Sequence, residues 1–155
     1  MHFVNQPISG NIGSYIINEL NSNYDTFYFM VAYAKYSGVK HLFQPILNFK
    51  NNGGKVIGIV GIDQNNTSHQ AVQILYGLCD ELYIYHINNI KHTFHPKLYY
   101  FKSTNKISYS CGSSNLTEGG LYTNFEINTF NTIASSDLCF IQPSKSLMTF
   151  LTILF

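Results

Sequence analysis

Residues 24–34 read YDTFYFMVAYA, a nearly unbroken apolar and aromatic run. Such a run fits a β-strand covered on both faces better than one with a wet side. Residues 55–62, KVIGIVGI, and 81–87, ELYIYHI, repeat the pattern. Between them lie two helical stretches. The first, 37–49, carries Val39, Leu42, Phe43, Ile46 and Leu47 on one stripe, with Pro45 as a flaw and Asn51-Asn52-Gly53-Gly54 as its stop. The second spans 68–79. Strand–helix–strand–helix–strand at this spacing predicts parallel pairing through right-handed crossovers. Upstream, Ile12, Ile16, Ile17 and Leu20 mark an amphipathic helix over 11–20, and residues 1–10, with Pro7 and Gly10, read as an irregular lead.

The chemistry gathers in residues 95–126, HPKLYYFKSTNKISYSCGSSNLTEGGLYTNFE. After Lys97, residues 97–101 read as a strand, 102–106 as a polar turn and 107–111 as a returning strand. Period-two alternation points His95 and Lys97 the same way. The hairpin then delivers Ser113 and Asn115 near His95, and a strand over 125–130 brings Glu126 back to it. Asn115 is placed to cap a short turn with Glu118, which Gly119-Gly120 stops. Backbone N–H groups there would favour an anion. An imidazole, an ammonium, a hydroxyl, an amide and a carboxylate around one anion suit phosphoryl transfer. Asn124 reads as a support for the glutamate strand, Ser114 and Thr117 as turn residues, and Tyr99, Tyr100 and Tyr109 as packing across the hairpin.

Composition narrows the setting. The 155 residues are 45% apolar with 12 Tyr and 12 Phe, which predicts one folded domain over 1–155. Net charge is +1 and all nine basic residues are lysines, so no guanidinium can read guanine or clamp phosphate. Lys91, Lys97, Lys102 and Lys106 either form a phosphate-facing patch or solvate a hairpin edge. Cys79, Cys111 and Cys139 are expected as reduced, buried thiols of a cytoplasmic protein. No signal-peptide pattern and no run of membrane-spanning length is visible. Gly58 and Gly61 lack dinucleotide-binding spacing, and His86, His92, His95 and Cys111 fit no common zinc pattern. The chain closes on SLMTFLTILF, expected to dock as a helix or, preferentially, to continue into a longer protein.

His95-Pro96-Lys97, Gly112-Ser113-Ser114-Asn115, Gly120-Leu121 and Asn124-Phe125-Glu126 together resemble the signature of the phospholipase D superfamily, HxK followed by GSxN and a downstream glutamate. Lys102 stands where many members carry an aspartate, a loss that the nuclease branch tolerates, and the hairpin is slightly longer than the minimal pattern. The resemblance implies an α/β fold: a mixed, largely parallel β-sheet with helices on both faces. It implies His95, Lys97, Asn115 and Glu126 as catalytic residues, with Ser113 binding substrate. With one His–Lys signature per chain, it implies a homodimer whose two His95 rings share one phosphorus. One attacks and the other is the acid, while Glu126 fixes the ring tautomer. No cofactor, metal or membrane is implied. DNA is the expected substrate. The TFYFMVAYAKYSG, GSSNLTEGGL and NFEIN segments look most like restriction endonucleases that fuse this domain to a DNA-recognition domain. A stand-alone non-specific nuclease, a non-catalytic dimerisation or docking module, and a phospholipase are the alternatives.

Overall fold

The computed structural model describes residues 2–87 and 91–134. Seven strands form one sheet: β1 (His2–Gln6), β2 (Thr26–Val31), β3 (Lys55–Gly61), β4 (Glu81–Tyr85), β5 (Lys97–Lys102), β6 (Lys106–Gly112) and β7 (Glu126–Ala134). Three helices accompany them: α1 (Ile12–Leu20), α2 (Tyr36–Asn51) and α3 (His69–Leu78). Across the sheet the order is β1-β7-β6-β5-β2-β3-β4.

The helices begin where side chains satisfy their open N–H groups. The Asn11 side-chain oxygen Oδ1 accepts from Ser14 N–H at 2.8 Å and caps α1. Ser68 serves two helices, its hydroxyl accepting Tyr36 N–H at 3.0 Å and Ala71 N–H at 3.3 Å. Gly53, at φ +89°, takes the left-handed backbone that ends α2, and the helix runs through Pro45 without stopping.

The expected parallel core is present, as β2 pairs with β3 and β3 with β4, both parallel. The sheet is mixed but not largely parallel. The β1–β7, β7–β6, β6–β5 and β5–β2 pairs are all antiparallel. The reason lies in the connections. No helix lies among the described residues between β4 and β5, and β5 enters beside β2 in reverse. A three-residue turn then fixes β6 antiparallel to β5. The lead expected to be irregular is a strand on the sheet edge, outside β7.

Phe27, Phe29 and Val31 of β2 pack with Ile12 and Ile16 of α1, Leu42 and Ile46 of α2, and Leu75 of α3 in one core. Phe27 and Phe101 stack at 4.5 Å between centroids, and Tyr15 meets Phe130 at 4.1 Å. The opposite face holds Met30, Ile59 and Phe94, flanked by Tyr28, Tyr85 and Leu98. Among the described residues all three helices thus lie on one face, not on both. Two right-handed crossovers stepping in the same direction, β2 to β3 to β4, put α2 and α3 on the same side. Cys139 and the SLMTFLTILF ending fall outside the described residues.

Candidate active site

The register of the strands brings the signature residues to one end of the sheet. Lys97 is opposite Val31, Leu98 is opposite Cys111, and Gly112 is opposite Asn128. The start of β5, the ends of β2 and β6 and the start of β7 therefore meet.

Lys97 is only 7% exposed, whereas His95 is open to solvent. The lysine amine lies 2.8 Å from His95 Nδ1 and donates to the His95 carbonyl at 3.0 Å. The two side chains do face the same way. Burial lowers the Lys97 pKa, and the charge of Glu126 opposes that shift. The imidazole of His95 is also lowered, first by partial burial and then by the Lys97 cation.

Asn115 is 6% exposed, and its carbonyl oxygen accepts Tyr33 N–H at 3.3 Å. That bond fixes the amide so that its NH2 group is the end left for a ligand. Asn115 is therefore not the helix cap that its spacing to Glu118 suggests. Thr117 takes that role, accepting Gly120 N–H at 2.9 Å, and Gly119-Gly120 open a π-helical turn, Gly119–Thr123, rather than stop one. The 115–117 segment is clamped by glycines. A Cβ at Gly120 would collide with the Asn115 carbonyl, and one at Gly38 would lie 2.5 Å from Thr117 Cα.

Ser113 donates to one Glu126 oxygen, accepts Ile127 N–H at 3.1 Å, and so ties β6 to β7. Asn124 donates to the other Glu126 oxygen at 3.3 Å, the support expected of it. Glu126 does not reach the ring. Within one chain His95 Nδ1 is met by Lys97, because the lysine follows it closely, at the start of β5, whereas the carboxylate sits two strands away on β7.

Ser114 is more than a turn residue. It is fully buried, accepts Asn128 Nδ2–H at 2.9 Å, and its carbonyl accepts the Tyr99 hydroxyl at 3.1 Å. Gln6 is the support that sequence reasoning misses. Its amide nitrogen donates to the carbonyls of Gly119, Gly120 and Asn124 at 3.1–3.2 Å, and its oxygen accepts Ile12 N–H. No local motif announces such a residue, since its three carbonyl partners are more than a hundred positions away.

Of the two readings of the lysines, Lys102 and Lys106 fit the hairpin edge rather than a phosphate-facing patch. Lys102 lies at the far end of β5, opposite Thr26, and Lys106 sits 4.3 Å over the Tyr24 ring at that same end. A hairpin sends the lysines flanking its turn away from the strand ends that build the site. Cys111 is exposed rather than buried, while burial pushes the Cys79 thiol up to about 12. No helix among the described residues is long and apolar enough to cross a membrane.

Comparison with known proteins supports the fold described above. The family described as "Cardiolipin synthase, PLD-like domain" matches residues 16–136, more than half of the chain. NucT from Helicobacter pylori superposes with a TM-score of 0.70 at 12% identity, covering 97% of this chain and 94% of that one. Nuc from Salmonella typhimurium, a phospholipase D family member, gives 0.65 at 13%, covering 99% and 91%. Polyphosphate kinase from Porphyromonas gingivalis gives 0.57 at 12%, with 99% of this chain against 25% of that one. A search of curated proteins finds no match. With its family match spanning most of the strands that build this site, the chain belongs to the phospholipase D superfamily.

Proposed function

We propose that the chain is a metal-independent endonuclease that hydrolyses DNA phosphodiester bonds through a phosphohistidine, as the catalytic part of a restriction endonuclease working in the cytoplasm. The observation that carries this reading is the buried Lys97 amine beside an exposed His95, with the Asn115 amide held through its oxygen by Tyr33 N–H. Lys97 and Asn115 hold the non-bridging oxygens as charge develops on them, and Ser113 helps to bind the substrate. The likeness to Nuc and NucT supports the same reading.

The Lys97–His95 contact describes the resting site. An incoming phosphate is a stronger acceptor for the ammonium than an imidazole nitrogen, so Lys97 turns to it. Nδ1 then carries the ring proton and Nε2 presents its lone pair. Nε2 attacks phosphorus, the P–O bond to the leaving strand breaks, and the His95 of a second copy protonates the departing oxygen. That second imidazole, now neutral, takes a proton from water. The resulting hydroxide attacks phosphorus, the P–N bond breaks, and both rings return to their starting states.

This scheme needs a homodimer with the two sites facing each other. Phe125, 80% exposed, and Ile127, 60% exposed, flank Glu126 and supply apolar surface for a second copy. Across that interface each Glu126 serves to orient an imidazole, the tautomer-setting role that it does not fill within its own chain. The test is DNA cleavage in excess EDTA, comparing wild type with His95→Ala. Wild-type cleavage with an inactive variant supports the reading. Cleavage abolished by EDTA, or equal cleavage by the variant, overturns it.

A further inference from the structure

Asp63 lines the cleft beside His95 and pairs with a second imidazole, His86, that the scheme above leaves unused. Asp63, Gln64, Tyr33 and His95 line one small cleft. The Asp63 carboxylate meets His86 Nδ1 at 2.6 Å and accepts Ile87 N–H at 3.3 Å. It is carried there by a strained turn. Gln64 and Asn65 take φ values of 64° and 54°, the left-handed region that strains residues with side chains. The return of the loop is pinned by Thr67, whose hydroxyl donates to the Gly61 carbonyl at 2.6 Å and accepts Ala34 N–H at 3.2 Å.

A bare carboxylate in this cleft would repel a polyanion passing over His95. A protonated His86 ring would offset that charge. An imidazolium donates from both nitrogens, so with Nδ1 committed to Asp63 its Nε2–H remains for a second anion. The His86 side chain is 55% exposed and free to receive one.

We propose that the Asp63–His86 pair is a phosphate-contact subsite for the strand flanking the scissile phosphate, with His86 Nε2 as the donor. The inference rests on the nuclease reading and adds to it. His86 takes no part in the bond-making at His95. It holds a neighbouring phosphate and so sets the affinity for a polymeric substrate.

The test compares wild type, His86→Gln and His86→Lys on a DNA oligonucleotide and on bis(p-nitrophenyl) phosphate, which has one phosphorus and no neighbouring phosphate. His86→Gln is expected to raise KM for DNA several-fold with kcat held, and to lower the log–log salt slope of DNA binding by about 0.9, the loss of one phosphate contact. Its hydrolysis of the small diester stays at the wild-type level. His86→Lys keeps a cation and restores the DNA KM. An unchanged DNA KM in His86→Gln overturns the subsite, as does an equal loss on both substrates. A His86→Lys variant as impaired as His86→Gln overturns the assignment of a cationic contact. Wild type that hydrolyses the small diester but no DNA overturns the nuclease reading instead, whatever the variants do.

Discussion

Lys97→Met separates function from stability, and the structure sets the sign of each effect. The lysine is buried, and no carboxylate among the described residues lies within ion-pair distance of it. Its amine makes two contacts, to His95 Nδ1 and to the His95 carbonyl. Losing them costs about 1 kcal/mol each, and the exposed histidine can turn to water instead. Against that, desolvating an ammonium costs several kcal/mol, while the methionine largely replaces the apolar stem that the lysine already buries. The balance favours the variant by on the order of 1 kcal/mol, or about 2–4 °C in Tm for a chain of this size. Activity moves the other way. Removing one donor to developing phosphoryl charge costs roughly 2.7–4 kcal/mol, a hundred- to thousandfold loss in kcat. A third readout ties the two together: Lys97 is one of the two causes that lower the His95 pKa, so the imidazole titration, followed by NMR, should move up in the variant. Thermal denaturation and DNA cleavage complete the assay. A variant destabilised by more than about 2 kcal/mol, or active within tenfold of wild type, would refute the reasoning.

The other predictions follow from single features. Because the His95 pKa is lowered, the attacking ring stays neutral to lower pH and the protonating ring loses its charge earlier as pH rises. The profile of kcat/KM should be a bell centred on the acid side of the ordinary imidazole value of about 6.5, and a maximum above neutrality would contradict it. Phe101 is fully buried and stacked on Phe27, so Phe101→Ala should cost about 3–5 kcal/mol in urea denaturation. In the native protein iodoacetamide should modify Cys111 and leave Cys79 untouched, since burial suppresses the Cys79 thiolate; peptide mass mapping reads both.

Much of this molecule is legible one segment at a time. The apolar runs at 24–34, 55–62 and 81–87 mark β2, β3 and β4, and the Asn-Asn-Gly-Gly stop marks the end of α2, because burial pattern and turn chemistry are local signals. The His95/Lys97 pairing is legible for the same reason: two residues of strand periodicity decide it. What the sequence conceals is long-range. β1 hides in a lead containing Pro7, since its pairing partner β7 lies over a hundred residues on. The antiparallel entry of β5 depends on a connection with no helix among its described residues. Gln6 becomes a brace only once the 119–124 turn is folded against it. Glu126 reads as a partner of His95 along the chain, yet the register gives that ring nitrogen to Lys97 and the carboxylate to Ser113.

The most direct test of the account is to trap the covalent intermediate. Excess protein is mixed with a cleavable DNA duplex in EDTA, quenched rapidly in alkali, digested and mapped by mass. The account predicts a nucleotide adduct on the peptide carrying His95, absent in His95→Ala. DNA cleaved in EDTA with His95 unmodified at every quench time, or an adduct on another residue, would contradict it.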